Sequence, residues 1–341
     1  MYRVGVFGAT GQVGAVIRSI LVERSFPISQ IRFFASSRSA GTKLEFNGED
    51  VLVEDAHYAD FSGLDVSIFS AGGSASKVLA PKVAASGSYV IDNSPAWRMD
   101  PEIPLVVPEV NGYLLSETSS KIIANPNCTT MIAVVPLKTL HTLYGLKRVL
   151  VSTYQAVSGA GRSGVDELQS QLSAKCDDLS ALTFGGQAIE FPPHNVFPST
   201  IGANVIPHAG SFVDHDTTEE IKFVQESRKI LELDDLGVFA TCVRVPVFTG
   251  HSISIVAEFD RVPDHDEAIE ALGLTPGVLY DPVPTPLQSA GRNEVFVGRV
   301  RIDPSAPNSL ALFVAGDNLR KGAALNAVQI AEELGALGRF S

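Results

Sequence analysis

Val4-Gly5-Val6-Phe7-Gly8-Ala9-Thr10-Gly11-Gln12-Val13-Gly14 is the stretch that decides the fold. The apolar run Val4–Phe7 reads as a strand, and Val13–Val22 reads as a helix with Val13, Val16, Ile17, Ile20 and Leu21 on one face. Between them the glycines follow Gly-x-x-Gly-x-x-Gly, not the commoner Gly-x-Gly-x-x-Gly. Glycines in such a turn adopt positive φ and let a pyrophosphate approach the backbone, while the helix N-terminus offers oriented N–H groups and a positive dipole. Gly8, Thr10, Gly11, Gln12, Val13 and Gly14 are therefore the expected dinucleotide contacts. The next strand, Ile31–Ala35, runs into Ser36-Ser37-Arg38-Ser39. An NAD site usually has Asp or Glu there, for the ribose 2′-hydroxyl; hydroxyls and a guanidinium suit a 2′-phosphate, so NADP is expected, held by Arg38 and Ser39.

Working outward, Val66–Ser70, a helix through Lys77–Ala85 and the strand Tyr89–Asp92 continue the alternation of a parallel sheet with crossover helices. From a helix at about Thr129–Leu143 the pattern changes. Strands at Arg148–Ala156, Gly237–Pro246, Ser252–Asp260, Val295–Ile302 and Ser309–Ala315 follow with few helices between them, at Gly164–Ala174 and Thr218–Leu231, which predicts an antiparallel or mixed sheet. A last helix, Asn318–Leu337, has no sheet of its own nearby and is expected to pack on the first domain. The reading is an α/β chain with a Rossmann-like dinucleotide-binding domain at 1–127, completed by 317–341, and a second domain at 128–316. Phe191–Pro198 and Asp281–Pro286 read as ordered proline-rich loops.

The 341 residues suit two domains, and 45% hydrophobic residues supply their cores. The net charge of −12 disfavours non-specific binding to nucleic acid or an anionic membrane, so any anionic ligand needs a local basic site. No apolar run reaches the roughly 18–20 residues of a membrane helix. A first strand starting at Arg3 leaves no room for a signal peptide, and three cysteines cannot form a disulfide framework; a cytoplasmic protein is expected.

Of those cysteines, Cys128 stands in Ala124-Asn125-Pro126-Asn127-Cys128-Thr129-Thr130, at the start of a helix with the apolar stripe Ile132, Val135, Leu140. A helix N-terminus favours the thiolate, the nucleophilic form. Cys176, read as helical, and Cys242, read as lying in a strand, have the pattern of small buried hydrophobes. Asp214-His215-Asp216 reads as a polar loop, and no metal site is expected. Thr217 and Glu220 have the spacing of a capping box for the helix that follows.

With these segments, Ser152-Thr153-Tyr154-Gln155-Ala156-Val157-Ser158-Gly159-Ala160-Gly161 and Arg244-Val245-Pro246-Val247-Phe248-Thr249-Gly250-His251-Ser252 make the chain resemble the bacterial aspartate-semialdehyde dehydrogenases. Ala71-Gly72-Gly73, Val107–Asn111 and Gly316–Ala323 extend the likeness over essentially the whole sequence. The resemblance implies a second, α+β catalytic and dimerisation domain of the glyceraldehyde-3-phosphate-dehydrogenase-like type, and a homodimer or dimer of dimers. It implies NADPH-dependent reduction of aspartyl phosphate in the biosynthesis of lysine and diaminopimelate, methionine, threonine and isoleucine. By the same resemblance Cys128 is the nucleophile, His251 the acid/base, and Gln155 the group that orients the acyl intermediate. Arg244 would grip the substrate α-carboxylate, Glu219 its ammonium, Lys222 and Arg98 its phosphate, with Asn127 beside them. Ser158, Gly159 and Asn318 would complete the cofactor contacts near the nicotinamide. Pro95 and Trp97 depart from the serine and phenylalanine usual beside the phosphate-site arginine.

Two consequences follow. Arg244 and His251 are seven apart, so on one strand they would face opposite ways, and they converge only if Thr249-Gly250 breaks it. A phosphate site tolerates a point charge, so Arg98→Lys is expected to be milder than Arg244→Lys. Among other readings, N-acetyl-glutamyl-phosphate reductase has its cysteine in a His-Pro-Gly-Cys context, unlike Asn125–Cys128, and glyceraldehyde-3-phosphate dehydrogenase would need a carboxylate after the second strand. A non-catalytic NADP-binding sensor would have no use for Cys128, His251 and Arg244 together.

Overall fold

The computed structural model describes residues 1–174 and 179–340. It divides into two compact units: Met1–Lys138 with Gln225–Asp234 and Leu319–Ser341, and Thr139–Val224 with Asp235–Asn318. Cys176, expected in a helix, lies outside the described residues.

The first unit is built on strands β1 (Tyr2–Phe7), β2 (Ile28–Ala35), β3 (Lys43–Phe46), β4 (Glu49–Asp55), β5 (Val66–Phe69), β6 (Tyr89–Asp92) and β7 (Ile122–Ala124). They form one sheet in the order β3-β4-β2-β1-β5-β6-β7, parallel throughout except for β3. The alternation read from the sequence thus gives a Rossmann-like sheet. β3 and β4, an edge hairpin, go beyond the apolar runs because their outer residues are polar. On one face Val4, Val6, Ile17, Ile20, Phe33 and Ile68 form a core with Val328, Ile330 and Leu334 of the last helix, which packs on this sheet. On the other, the Phe7 ring lies 4.4 Å from Phe34 and 4.0 Å from Phe69, both stacked. Such burial of large side chains on both faces is what a parallel sheet demands.

The last helix starts differently from its expected Asn318. Arg320–Ala324 is a π-helical turn, and the regular helix runs Leu325–Ala336. A π turn inserts one extra residue per turn, and such bulges tend to occur at functional sites.

The second unit is built on β8 (Leu146–Gln155), a small hairpin β9 (Phe212–Val213) and β10 (Asp216–Thr217), and β11 (Gly237–Arg244), β12 (His251–Phe259), β13 (Val278–Tyr280), β14 (Val295–Asp303) and β15 (Ala306–Gly316). Six of these form the sheet β11-β8-β12-β15-β14-β13. Pairing is parallel at both ends of the sheet, between β11 and β8 and between β13 and β14, and antiparallel in the middle. The expected mixed sheet is present, with the strand expected at Gly237–Pro246 ending at Arg244. Asp214-His215 forms the tip of the hairpin and Asp216 opens β10, with Asp214 at φ 54°. The Thr217–Glu220 capping box closes as read: the Glu220 carboxylate accepts the Thr217 N–H at 2.7 Å, and the Thr217 hydroxyl accepts the Glu220 N–H at 3.3 Å.

Candidate active site

In the first unit β1 delivers the chain into the glycine loop. Gly8 has φ 76°, and a Cβ there would lie 2.3 Å from the Ser70 carbonyl oxygen, so the turn admits only glycine. Gly14 packs against the loop itself, where a Cβ would meet the Gly8 carbonyl oxygen at 2.3 Å. Gly11 is the N-cap of the helix Gln12–Glu23, so Gln12 and Val13 present its first N–H groups. A pocket of about 420 Å³ opens beside this loop, lined by Gly8, Thr10, Gly11, Arg38 and Ser39 among others. A cradle that a Cβ would fill, a helix N-terminus and an exposed guanidinium fit a dinucleotide phosphate.

The same pocket holds a group the linear reading missed. β4 pairs with β2 so that Asp55 stands opposite Ala35, and Asp55 lines the pocket with Arg38. Its carboxylate accepts the His57 N–H at 2.9 Å. The Ser37 hydroxyl and that N–H hold it below the usual carboxylate range. A carboxylate is therefore present near the end of the second strand, brought there by pairing and not by sequence adjacency.

Cys128 is the first residue of the helix Cys128–Tyr144 and is partly exposed. Asn127 caps it: its side-chain oxygen accepts the N–H groups of Thr129 at 2.9 Å and Thr130 at 3.4 Å. Asn125, fully buried, anchors the turn from below, donating to Asn93 Oδ1 at 2.7 Å and accepting from Asn326 Nδ2 at 2.7 Å. Lys321 supports Asn326. Its buried ammonium donates to Glu109 at 2.5 Å, Asn326 at 2.8 Å and Gln329 at 2.9 Å. Lys321 lies in the π turn, whose Gly322 packs so tightly that a Cβ would lie 2.9 Å from the Cys128 Cβ.

Arg98 is buried, with each of its three nitrogens donating to the protein: Nε to Asn125 O at 3.0 Å, Nη1 to Glu226 Oε1 at 2.9 Å and Nη2 to Asn93 O at 2.7 Å. The expectation that Arg98→Lys would be milder than Arg244→Lys does not suit this geometry, because three separate acceptors, one for each nitrogen, match a guanidinium fork and not a point charge. The Trp97 departure has a local reason: its indole N–H donates to the Ser76 hydroxyl at 2.9 Å, and Ser76 donates to buried Asp92.

In the second unit β11 ends at Arg244 and β12 begins at His251, with Gly250 at φ 96° between them. The strand is broken where the sequence required. The two side chains converge on Ala156: Arg244 Nη1 donates to its carbonyl at 3.0 Å, and its N–H donates to His251 Nδ1 at 3.0 Å. Gly159 fits between them, since a Cβ would lie 2.7 Å from Arg244 Nη1 and 3.2 Å from His251 Nε2. His251 is fully buried, and Nε2 has no hydrogen-bond partner among the described residues. Burial, then the Arg244 charge, lowers its pKa to about 3, with Glu219 opposing. The ring is thus held far below the ordinary histidine value near 6.5. With Nδ1 accepting a backbone N–H, the neutral ring carries its proton on Nε2.

Gln155, at the end of β8, is fully buried and donates to Glu219 Oε1 at 3.1 Å. Lys222 donates to the other oxygen of Glu219 at 3.2 Å. Asn318 bridges the remaining pair, donating to Ser158 Oγ at 2.9 Å and accepting the Gly250 N–H at 3.0 Å. Gln155, Glu219, Lys222, Arg244, His251, Ser158, Gly159 and Asn318 therefore belong to the second unit, while Cys128, Asn127, Arg98 and the glycine loop belong to the first. Cys242 is inert by contrast: burial pushes its thiol up to about 12.

Residues 3–118 match the family described as semialdehyde dehydrogenase, NAD binding domain, and residues 137–321 the semialdehyde dehydrogenase dimerisation domain. The aspartate-semialdehyde dehydrogenase of Streptomyces akiyoshiensis is 55% identical over 98% of this chain and 98% of its own. That of Aquifex aeolicus is 46% identical, again over 98% of each. Among solved structures, aspartate semialdehyde dehydrogenase II of Vibrio cholerae complexed with ASA superposes with a TM-score of 0.92 at 41% identity, covering 98% of each chain. A glycine-loop nicotinamide domain, a helix-capped cysteine and an Arg–His pair on one peptide are thus found in a chain that matches relatives of one name over nearly its whole length. The chain belongs to the aspartate-semialdehyde dehydrogenase family.

Proposed function

We propose that the protein catalyses the reversible NADPH-dependent reduction of L-aspartyl 4-phosphate to L-aspartate 4-semialdehyde and phosphate. The observation that carries the proposal is Cys128 at the first position of a helix capped by Asn127. Its thiolate would attack the acyl carbon, and the carbon–oxygen bond to phosphate would break, so that phosphate leaves with the electron pair and a thioester remains. His251 Nε2–H would donate to the acyl oxygen as charge develops there. Arg244 would hold the α-carboxylate, Glu219 the ammonium, and Lys222 with Arg98 the phosphate, while Gln155 and Asn127 orient the acyl group. The bound nicotinamide supplies the hydride that brings the thioester to the aldehyde level. Arg38 and Ser39 favour NADP through the 2′-phosphate, with Ser158, Gly159 and Asn318 toward the nicotinamide.

A homodimer, or a dimer of such dimers, would use the open face of the second sheet. Register places Leu150, Tyr154, Phe239, Val256 and Phe313 on one face, and none of them is buried in the single chain. A cytoplasmic setting accords with the absence, among the described residues, of any helix long and apolar enough to cross a membrane.

The reaction is tested by following phosphate-dependent NADP⁺ reduction with aspartate semialdehyde beside N-acetylglutamate semialdehyde and glyceraldehyde 3-phosphate. Turnover that is faster with either of the last two would replace the substrate assignment.

A further inference from the structure

The helix Thr218–Leu231 carries Glu219 and Lys222, and the same spacing continues to Glu226 and Lys229, at i+7 and i+10. Glu226 is 1% exposed, so its carboxylate needs partners to offset desolvation. It has two that bear on the nucleophile: Oε2 accepts the Asn127 N–H at 2.6 Å, and Oε1 accepts from Arg98 Nη1 at 2.9 Å. Three residues on, the Lys229 ammonium donates to the carbonyls of Arg98 at 2.8 Å, Asp100 at 2.7 Å and Ile103 at 3.0 Å. One segment of helix therefore holds the guanidinium of Arg98, the backbone of the loop that follows it, and the peptide N–H one residue before Cys128.

We infer that Glu226 is a positioning residue for the reaction: its buried carboxylate fixes Asn127, and through it the start of the Cys128 helix, while compensating the charge of Arg98. The inference rests on the assignment of Cys128 as nucleophile. A carboxylate serves both donors because it has two acceptor oxygens and one negative charge. An amide has one acceptor oxygen, so Glu226→Gln leaves either Asn127 N–H or Arg98 Nη1 facing an NH₂ group in a buried site.

The test compares Glu226→Gln and Glu226→Asp with wild type in the full-length protein. Glu226→Gln should lose about ten- to a hundredfold in kcat, with the KM for aspartate semialdehyde changing much less, since charge-assisted hydrogen bonds of this kind are worth about that factor. The pH profile of Cys128 alkylation by iodoacetamide should move down, because a negative charge is lost and Arg98 is left uncompensated. The expected signature is therefore a more readily ionised thiol in a slower enzyme. Glu226→Asp keeps the charge but withdraws it by one methylene, and should lose kcat with the alkylation profile close to wild type; it also serves if Glu226→Gln does not fold. Wild-type kcat in both variants overturns the inference. So does a loss of kcat in Glu226→Gln with an unmoved alkylation profile, which marks an ordinary buried ion pair. Activity remaining in Cys128→Ser would instead overturn the nucleophile assignment, whatever Glu226 does.

Discussion

Arg244 and His251 hold one residue from its two ends: the guanidinium donates to the carbonyl of Ala156, and the imidazole accepts that residue's N–H. Gly159 is the spacer that lets both side chains reach. In Gly159→Ala the new Cβ would lie 2.7 Å from Arg244 Nη1 and 3.2 Å from the imidazole, so Arg244 must swing off its acceptor. Misorientation of this kind should cost about tenfold or more in kcat/KM, because reacting groups must be held within a fraction of an ångström. Steady-state kinetics beside a thermal melt checks it: an unchanged kcat/KM would mean that neither side chain needs its present position.

The depressed pKa of His251 has a consequence for stability. The folded value is about 3, and the unfolded value is near 6.5. Between these the unfolded chain binds the proton and the folded one does not, so stability is fully present above about pH 6.5 and declines as pH falls through this window. The slope from this one group approaches 1.4 kcal/mol per pH unit. His251→Gln should flatten the decline between pH 6 and 4 in denaturant titrations. An equally steep decline in the variant would locate the acid sensitivity elsewhere.

Arg98→Lys should be severe, on the order of a hundredfold in kcat/KM. Lysine can place one ammonium near Glu226 but cannot also reach the carbonyls of Asn93 and Asn125 in the guanidinium plane. The loss should fall on kcat, through the Cys128 turn, as well as on the KM for phosphate. A change confined to the phosphate KM would mark Arg98 as a simple anion contact.

Two groups of opposite charge line the pocket proposed for the cofactor. Arg38 is the proposed 2′-phosphate partner, and Asp55 lines the same pocket with a carboxylate held below the usual range. Arg38→Ser should move preference toward NADH, since the remaining carboxylate suits a ribose hydroxyl. Asp55→Asn should sharpen preference for NADPH by removing a charge that repels the phosphate. Ratios of kcat/KM for the two cofactors decide this, and a ratio unmoved in both variants would place the 2′ position away from this pocket.

The sequence made much of this readable because several features are local. The strand–glycine–helix run, the Thr217–Glu220 capping box and the break at Gly250 all depend on residues within a few positions of one another. Asn47-Gly48 is local too: both have positive φ, the mark of a two-residue hairpin turn, and that pair signals β3 and β4 better than apolar alternation does. Asp55 and Glu226 were not readable in this way. Asp55 comes to line the Arg38 pocket through strand pairing, and Glu226 reaches Asn127 from 99 residues away. The depressed pKa of His251 likewise comes from burial, which no spacing encodes.

Gly322→Ala sets two effects against each other. Alanine is the better helix former by about 1 kcal/mol, so in an open helix the change would stabilise. Here the new Cβ would meet the Cys128 Cβ at 2.9 Å and its Cα at 3.3 Å, both part of a helix start that Asn127 caps. Neither atom is the free end of a flexible side chain, so the backbone at Cys128 or at the π turn must move. Overpacking of this kind costs about 1–3 kcal/mol, which exceeds the gain in propensity. Gly322→Ala should therefore lower thermal stability modestly and kcat by at least about tenfold, because the thiol proposed as nucleophile would be displaced. Cofactor binding, read by NADPH fluorescence, should persist, since the glycine loop is untouched. A variant that is more stable than wild type and fully active would show that the π turn is free to give way.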